Sequence, residues 1–179
     1  MTATTRPVPR WAEWTAHAVP LTVLPSGLWR IALGLGVPVG FSGSMAELYH
    51  APDPVLTPYV FALSLVSEFF ALLTLGLVRP WGEVFPRWMP LVGGRNVPVW
   101  LAVGLATAGA VAVTLIGWSV AGQWAGNMAS PEAPQGLAGV IMIACYAPFL
   151  LWGPLLMIVT VHYAVRRTRG AGRALTALR

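Results

Sequence analysis

Three long stretches of this chain are almost free of ionisable side chains, and that constrains its fold more than any motif. No Asp, Glu, Lys, Arg or His occurs from Val97 to Ala121; the stretch from Leu137 carries only His162, at its end; and Glu68 is alone in the 22 residues from Thr57 to Val78. About 20 predominantly apolar residues in a helix match the hydrocarbon thickness of a bilayer. Lipid offers the backbone no hydrogen bonds, so only helices and closed barrels cross it. The chain has 179 residues, 56% of them apolar and 9% charged. Four such spans with short loops leave no room for a soluble domain of ordinary size. The expected fold is all-α and integral to a membrane: a four-transmembrane-helix bundle over residues 25–165, preceded by a cytoplasmic or interfacial segment at 1–24 and followed by a basic tail at 166–179.

The spans expected are 26–47, 57–78, 97–121 and 137–162. The first admits two placements, because Arg30 separates two uncharged runs. A helix from about Ser26 to Glu47 lets Arg30 snorkel to the near interface, whereas one from about Pro20 to Phe41 buries it at the midplane. Pro25-Ser26-Gly27 reads as a helix entry and favours the first. Within the fourth span, Pro148 and Pro154 each remove an amide donor, so a kinked helix is expected.

Arginine gives the orientation. Arg6 and Arg10 precede the first span, Arg79, Arg87 and Arg95 lie between the second and third, and Arg166, Arg167, Arg169, Arg173 and Arg179 follow the fourth. All fall on one side of a four-span topology, and the two opposite loops contain no Arg or Lys. The positive-inside rule then places both termini in the cytoplasm of a multi-pass plasma-membrane protein. Trp11 and Trp14 suit an interfacial segment, and Trp29, Trp81, Trp88 and Trp100 suit a cytoplasmic aromatic belt. The net charge of +5 comes from arginines scattered between apolar segments rather than clustered on one face, so no nucleic acid is expected as a partner. The expected partners are the lipid bilayer and a second copy of the chain or another membrane subunit.

Glu68 leads the candidate site residues, since an acid within a span faces a bundle interior or cavity and marks function by default. Ser64, Ser67, Glu68 and Ala71 share one helical face. Glu68, Arg30, Ser64 and Ser67 are the candidate binding residues, with Arg30 the one opposite charge available to Glu68. Gly36, Gly40 and Gly43, in line with Glu47, form a small-residue stripe that is expected to pack the first span on the second. Glu47, His50 and Asp53 form a second group suited to general acid and base chemistry, and with Glu68 they are the catalytic candidates. Their spacing matches no zinc-protease pattern, so no metal is expected. Cofactors are not expected either: His17, His50 and His162 lie at or beyond the span boundaries, too shallow for axial haem ligation, and no phosphate-binding loop or Ser-His-Asp pattern occurs. Cys145 is the sole cysteine.

RPWGEVFPRWMPLVGGRNVP from Arg79 to Pro98, with LPSGLWR from Leu24 to Arg30, resembles a group of uncharacterised actinobacterial multi-span membrane proteins. The resemblance implies a plasma-membrane protein and carries no activity or catalytic residues. Function is accordingly expected in this order: a self-assembling or accessory membrane subunit, then a proton- or cation-coupled transporter or channel subunit using Glu68, then a membrane enzyme acting on a lipid or apolar substrate.

Overall fold

The structure, a computed structural model, describes residues 8–84 and 93–176, with side chains described as far as Thr168. Arg6, Arg87, Trp88 and Arg179, used above for topology, lie outside the described residues. Helix α1 runs Arg10–Gly34, α2 Gly43–Leu48, α3 Leu56–Leu73, α4 Val99–Asn127, α5 Gly136–Tyr146 and α6 Trp152–Thr176. Short 3-10 turns continue α3 through Thr74–Leu77 and join α5 to α6 through Ala147–Leu151. The described residues form no strand; Val84 and Asn96 make one isolated antiparallel bridge. Three helical stretches, Leu56–Leu77, Val99–Asn127 and Gly136–Thr168, are long and apolar enough to cross a membrane. Where a kink at the prolines was expected in the last, a 3-10 turn separates α5 from α6, and Pro148 sits in it, where a missing amide is tolerated.

The first helix differs from the expected Ser26–Glu47. It begins at Arg10, carries Pro20 and Pro25 in its interior and ends at Gly34, so residues 10–24 are continuous with the helix that holds Arg30. The reason lies in packing. Helix α1 is the centre of the bundle, packed along α3 and α6 and touching α5, while α4 packs along α6. Ala12, Ala16, Val19, Val23, Ser26, Gly27, Arg30 and Gly34 recur at helical spacing and are buried. Inside a bundle, a helix need not be uniformly apolar. The buried hydroxyls of Thr22 and Ser26 donate to the carbonyls of Val19 and Val23 at 2.7 and 2.8 Å, which satisfies them within the helix.

The expected Gly36, Gly40 and Gly43 stripe is likewise not one helical face. Their φ angles are 82°, 98° and 53°, the left-handed region open to glycine; Gly36 and Gly40 lie in the turns that follow α1, and Gly43 opens α2. Close packing of α1 on α3 uses Gly27 and Gly34 instead. A Cβ on Gly34 would come within 2.8 Å of Val60 and 2.9 Å of Phe61. Trp29, expected in an interfacial belt, is buried and meets Tyr146 and Phe41 edge-on at 5.4 and 6.2 Å.

Each end of the bundle has its own clasp. At the end carrying the acidic loops, Ser44 donates to Glu132 at 2.6 Å and the Met45 amide at 3.3 Å, so a carboxylate from the α4–α5 loop caps the short helix α2. At the basic end, Glu83 meets Arg166 at 2.6 Å and Arg167 at 3.4 Å, and both guanidinium groups lie over the Tyr163 ring.

Candidate functional site

Helices α3 and α4 do not pack closely against each other, and the gap between them is the main concave feature of the molecule. Two cavities occupy it, of about 620 and 520 Å³. The first, toward the acidic loops, is walled by Tyr59, Leu63 and Ser67 of α3, by α4 from Ile116 to Met128, and by Met142, Tyr146 and Leu150 behind. The second, toward the basic end, is walled by Phe70, Leu73 and Leu77 on one side and by Leu105, Gly109 and Val113 of α4 on the other. Tyr59, Leu63, Ser67, Phe70, Leu73 and Leu77 follow one another at helical spacing, so the two cavities lie in line along a single groove. An aromatic cluster closes its acidic end, where Phe41 stacks on Tyr49 at 4.6 Å and both lie near Trp124.

Arg30 stands at the back wall of the first cavity. It is only 8% exposed. Its position follows from the small residues on either side: Gly27 faces the Cβ of Ser64 and Gly34 receives Val60, so α1 and α3 come close with the arginine stem between them. Arg30 Nε donates to Ser64 Oγ at 3.1 Å. Ser64 in turn donates to the Val60 carbonyl at 2.7 Å. Arg30 Nη2 is buried with no hydrogen-bond partner, and no carboxylate pairs with this guanidinium among the described residues. The Tyr146 phenol lies beside it in the same wall. A permanently charged group held this way is unusual, because burying an unpaired ion costs several kcal/mol.

The sequence-derived site residues separate. Arg30 and Ser64 are joined, and Ser67 shares their cavity, although its own hydroxyl donates to the Leu63 carbonyl at 2.7 Å. Glu68 does not join them. It is half-buried on α3, lines neither cavity, and makes no ion pair with Arg30. The reason is local: Ser64, one turn before Glu68, takes the arginine first, and both serine hydroxyls are turned back onto their own helix. Arg30 is also not at the entry end of the first helix; it lies one turn from its exit, level with Ser64.

Nor do Glu47, His50 and Asp53 converge on the groove. Asp53 Oδ1 accepts the amides of Leu56 and Val55 at 2.7 and 2.8 Å, capping α3, and these bonds hold its carboxyl below the ordinary range. Glu132 is held low in the same way, first by the Ser44 hydroxyl and then by the Met45 amide. Glu47 and His50 are exposed. No family model, no curated protein and no solved structure matches this chain. The site therefore has to be read from its own chemistry: a long apolar groove with one buried cation near one end. Sequence reasoning missed Tyr146 and Trp124 as wall residues because an aromatic in an apolar span carries no signal of which side it faces.

Proposed function

We propose that this chain is a four-helix, multi-pass protein of the plasma membrane, with both termini cytoplasmic, that acts as an accessory subunit binding an apolar molecule drawn from the bilayer. The cavity of about 620 Å³ between α3 and α4 carries the reading. Neighbouring helices ordinarily close to 8–10 Å between axes, and a gap of this volume falls in the range of small-molecule sites. Membrane placement is supported by the three apolar spans and by large apolar side chains facing outward on α3 and α4, such as Leu65, Phe69, Leu115 and Trp118. Helix α1 completes four crossings because Thr22, Ser26 and Arg30, the polar residues of its second half, are buried in the bundle. Orientation is supported by the arginines of the basic end, with Arg79 near His17 at 3.5 Å and Arg167 bonded to the Val97 carbonyl at 3.1 Å. Binding is favoured over catalysis because Glu68, Glu47, His50 and Asp53 do not meet at the groove.

The test is photolabelling of the full chain in lipid nanodiscs with an uncharged alkyl diazirine. Labels are expected on Leu63, Ile116 and Ile143, which face the cavity. Ala121→Trp, which fills it, should abolish this labelling, and Glu68→Gln should leave it unchanged. Labelling spread evenly over Leu65, Leu115 and Trp118 and indifferent to Ala121→Trp would show that the groove holds nothing beyond ordinary lipid contact.

A further inference from the structure

The groove carries a few hydroxyls, such as those of Ser67 and Thr74, but a single charged side chain among its lining residues, and that charge gives it a direction. Arg30 stands in the wall of the cavity near the acidic loops, and the second cavity continues the groove away from it along α3 and α4. Measured along α4 from Met128 to Ala102, the two together extend about 39 Å at 1.5 Å per residue. A ligand that fits must therefore be long, apolar over most of its length, and anionic at one end.

Resting on the binding reading above, we infer that the occupant is a long-chain carboxylate whose head pairs with Arg30 and whose tail lies in the groove. The choice of head follows from charge and donors. Arg30 Nε is engaged by Ser64, Tyr146 lies beside the guanidinium, and Nη2 is enclosed without a partner, so the protein itself leaves this charge uncompensated at the cavity wall. A guanidinium in that state favours a carboxylate as its counter-ion. Tyr146 brings a phenol donor to the same wall. One buried cation neutralises one negative charge, whereas a phosphate monoester would bring a second without a partner. The head of a glycerophospholipid would carry further polar groups into walls that offer them almost nothing to bond. A monoanionic head on one chain leaves no such debt on either side.

The experiment is displacement of the uncharged diazirine from the full chain in nanodiscs by three probes: oleate, oleyl alcohol and hexadecyl phosphate. Wild-type protein is expected to release the diazirine at about tenfold lower oleate than oleyl alcohol, a difference of the size a charge-assisted pair supplies. Arg30→Met should bring that ratio to about one, Arg30→Lys should keep part of it, and acetate alone should displace nothing. The comparison of oleate with oleyl alcohol on wild-type protein needs no variant, so misfolding of Arg30→Met does not rescue the inference. Equal displacement by oleate and oleyl alcohol, a preference that survives Arg30→Met, or stronger displacement by hexadecyl phosphate each overturns the carboxylate. Diazirine labelling of the cavity without displacement by oleate overturns this inference and leaves the binding reading standing. Failure of the diazirine to label the cavity removes both.

Discussion

Arg30→Met tests the energetic reading of the site most directly, since it keeps most of the aliphatic stem and removes the cation. Two effects oppose each other. The variant loses the hydrogen bond from Nε to Ser64, 3.1 Å long, worth about 1.5–3 kcal/mol when one partner is charged. Ser64 is not orphaned by the loss, because its hydroxyl still donates to the Val60 carbonyl at 2.7 Å. Against this stands relief of a guanidinium that is 8% exposed and has no carboxylate; burial of such an ion costs several kcal/mol. The net expectation is that Arg30→Met stabilises the ligand-free protein by about 1–2 kcal/mol. Reversible unfolding of delipidated protein in mixed micelles, with wild type and variant in parallel, measures it. Delipidation matters because an anion bound to the wild type would add stability through mass action. A variant less stable than wild type by more than about 1 kcal/mol would refute the reasoning, since it would mean that the guanidinium is already well satisfied.

Glu83→Gln should destabilise the basic end by about 3 kcal/mol, because one carboxylate serves Arg166 and Arg167 whose side chains are 7% and 15% exposed; the same unfolding assay reads it. Gly153→Ala should loosen α4 from α6, since a Cβ there collides with Thr114 Oγ1 and comes within 2.7 Å of the Ala110 carbonyl; a loss of about 1–3 kcal/mol is expected. Stability should also fall in acid. Asp53 and Glu132 have depressed folded pKa values, so their contribution is complete above the unfolded value near pH 4 and is lost as pH falls through the lower folded value. Unfolding midpoints measured from about pH 6 to 2 should drop below about pH 4, and Asp53→Asn with Glu132→Gln should flatten that drop.

Three apolar helical stretches were legible from apolarity; Thr57–Val78 fell close to Leu56–Leu77, whereas Val97–Ala121 stops short of Asn127, where its helix ends. The first segment failed because α1 turns only one face outward, with Trp14, Leu21 and Leu28, and packs the other inside the bundle with its polar residues. Its signal was a different one, small and medium residues at intervals of three and four from Ala12 to Gly34, which marks helix packing even where an arginine interrupts. The candidate site was half legible. Arg30 and Ser64 stood out as polar residues in apolar surroundings, but their pairing depended on the register of α1 against α3. Glu68 stood out more, yet an acid at helical spacing from two serines says nothing of whether those hydroxyls face it or their own carbonyls. The groove itself, made by two helices failing to meet, leaves no mark on any single segment.

The central position of α1 has a consequence for biogenesis. Translation delivers this helix before the neighbours that enclose it, and a lone helix with an arginine in its apolar half partitions poorly, since Arg in an isolated span costs up to about 2.5–3.5 kcal/mol of insertion free energy. Helix α4, with no ionisable residue from Val99 to Asn127, faces no such difficulty. In the membrane setting proposed here, α1 waits for company: it settles into the bilayer only as α3 arrives to take Arg30 through Ser64, and it is sealed when α6, made later still, closes over Ala16, Val19 and Val23. Insertion and folding of this chain are then a single late event, and truncation before α6 should leave the first helix stranded at the surface.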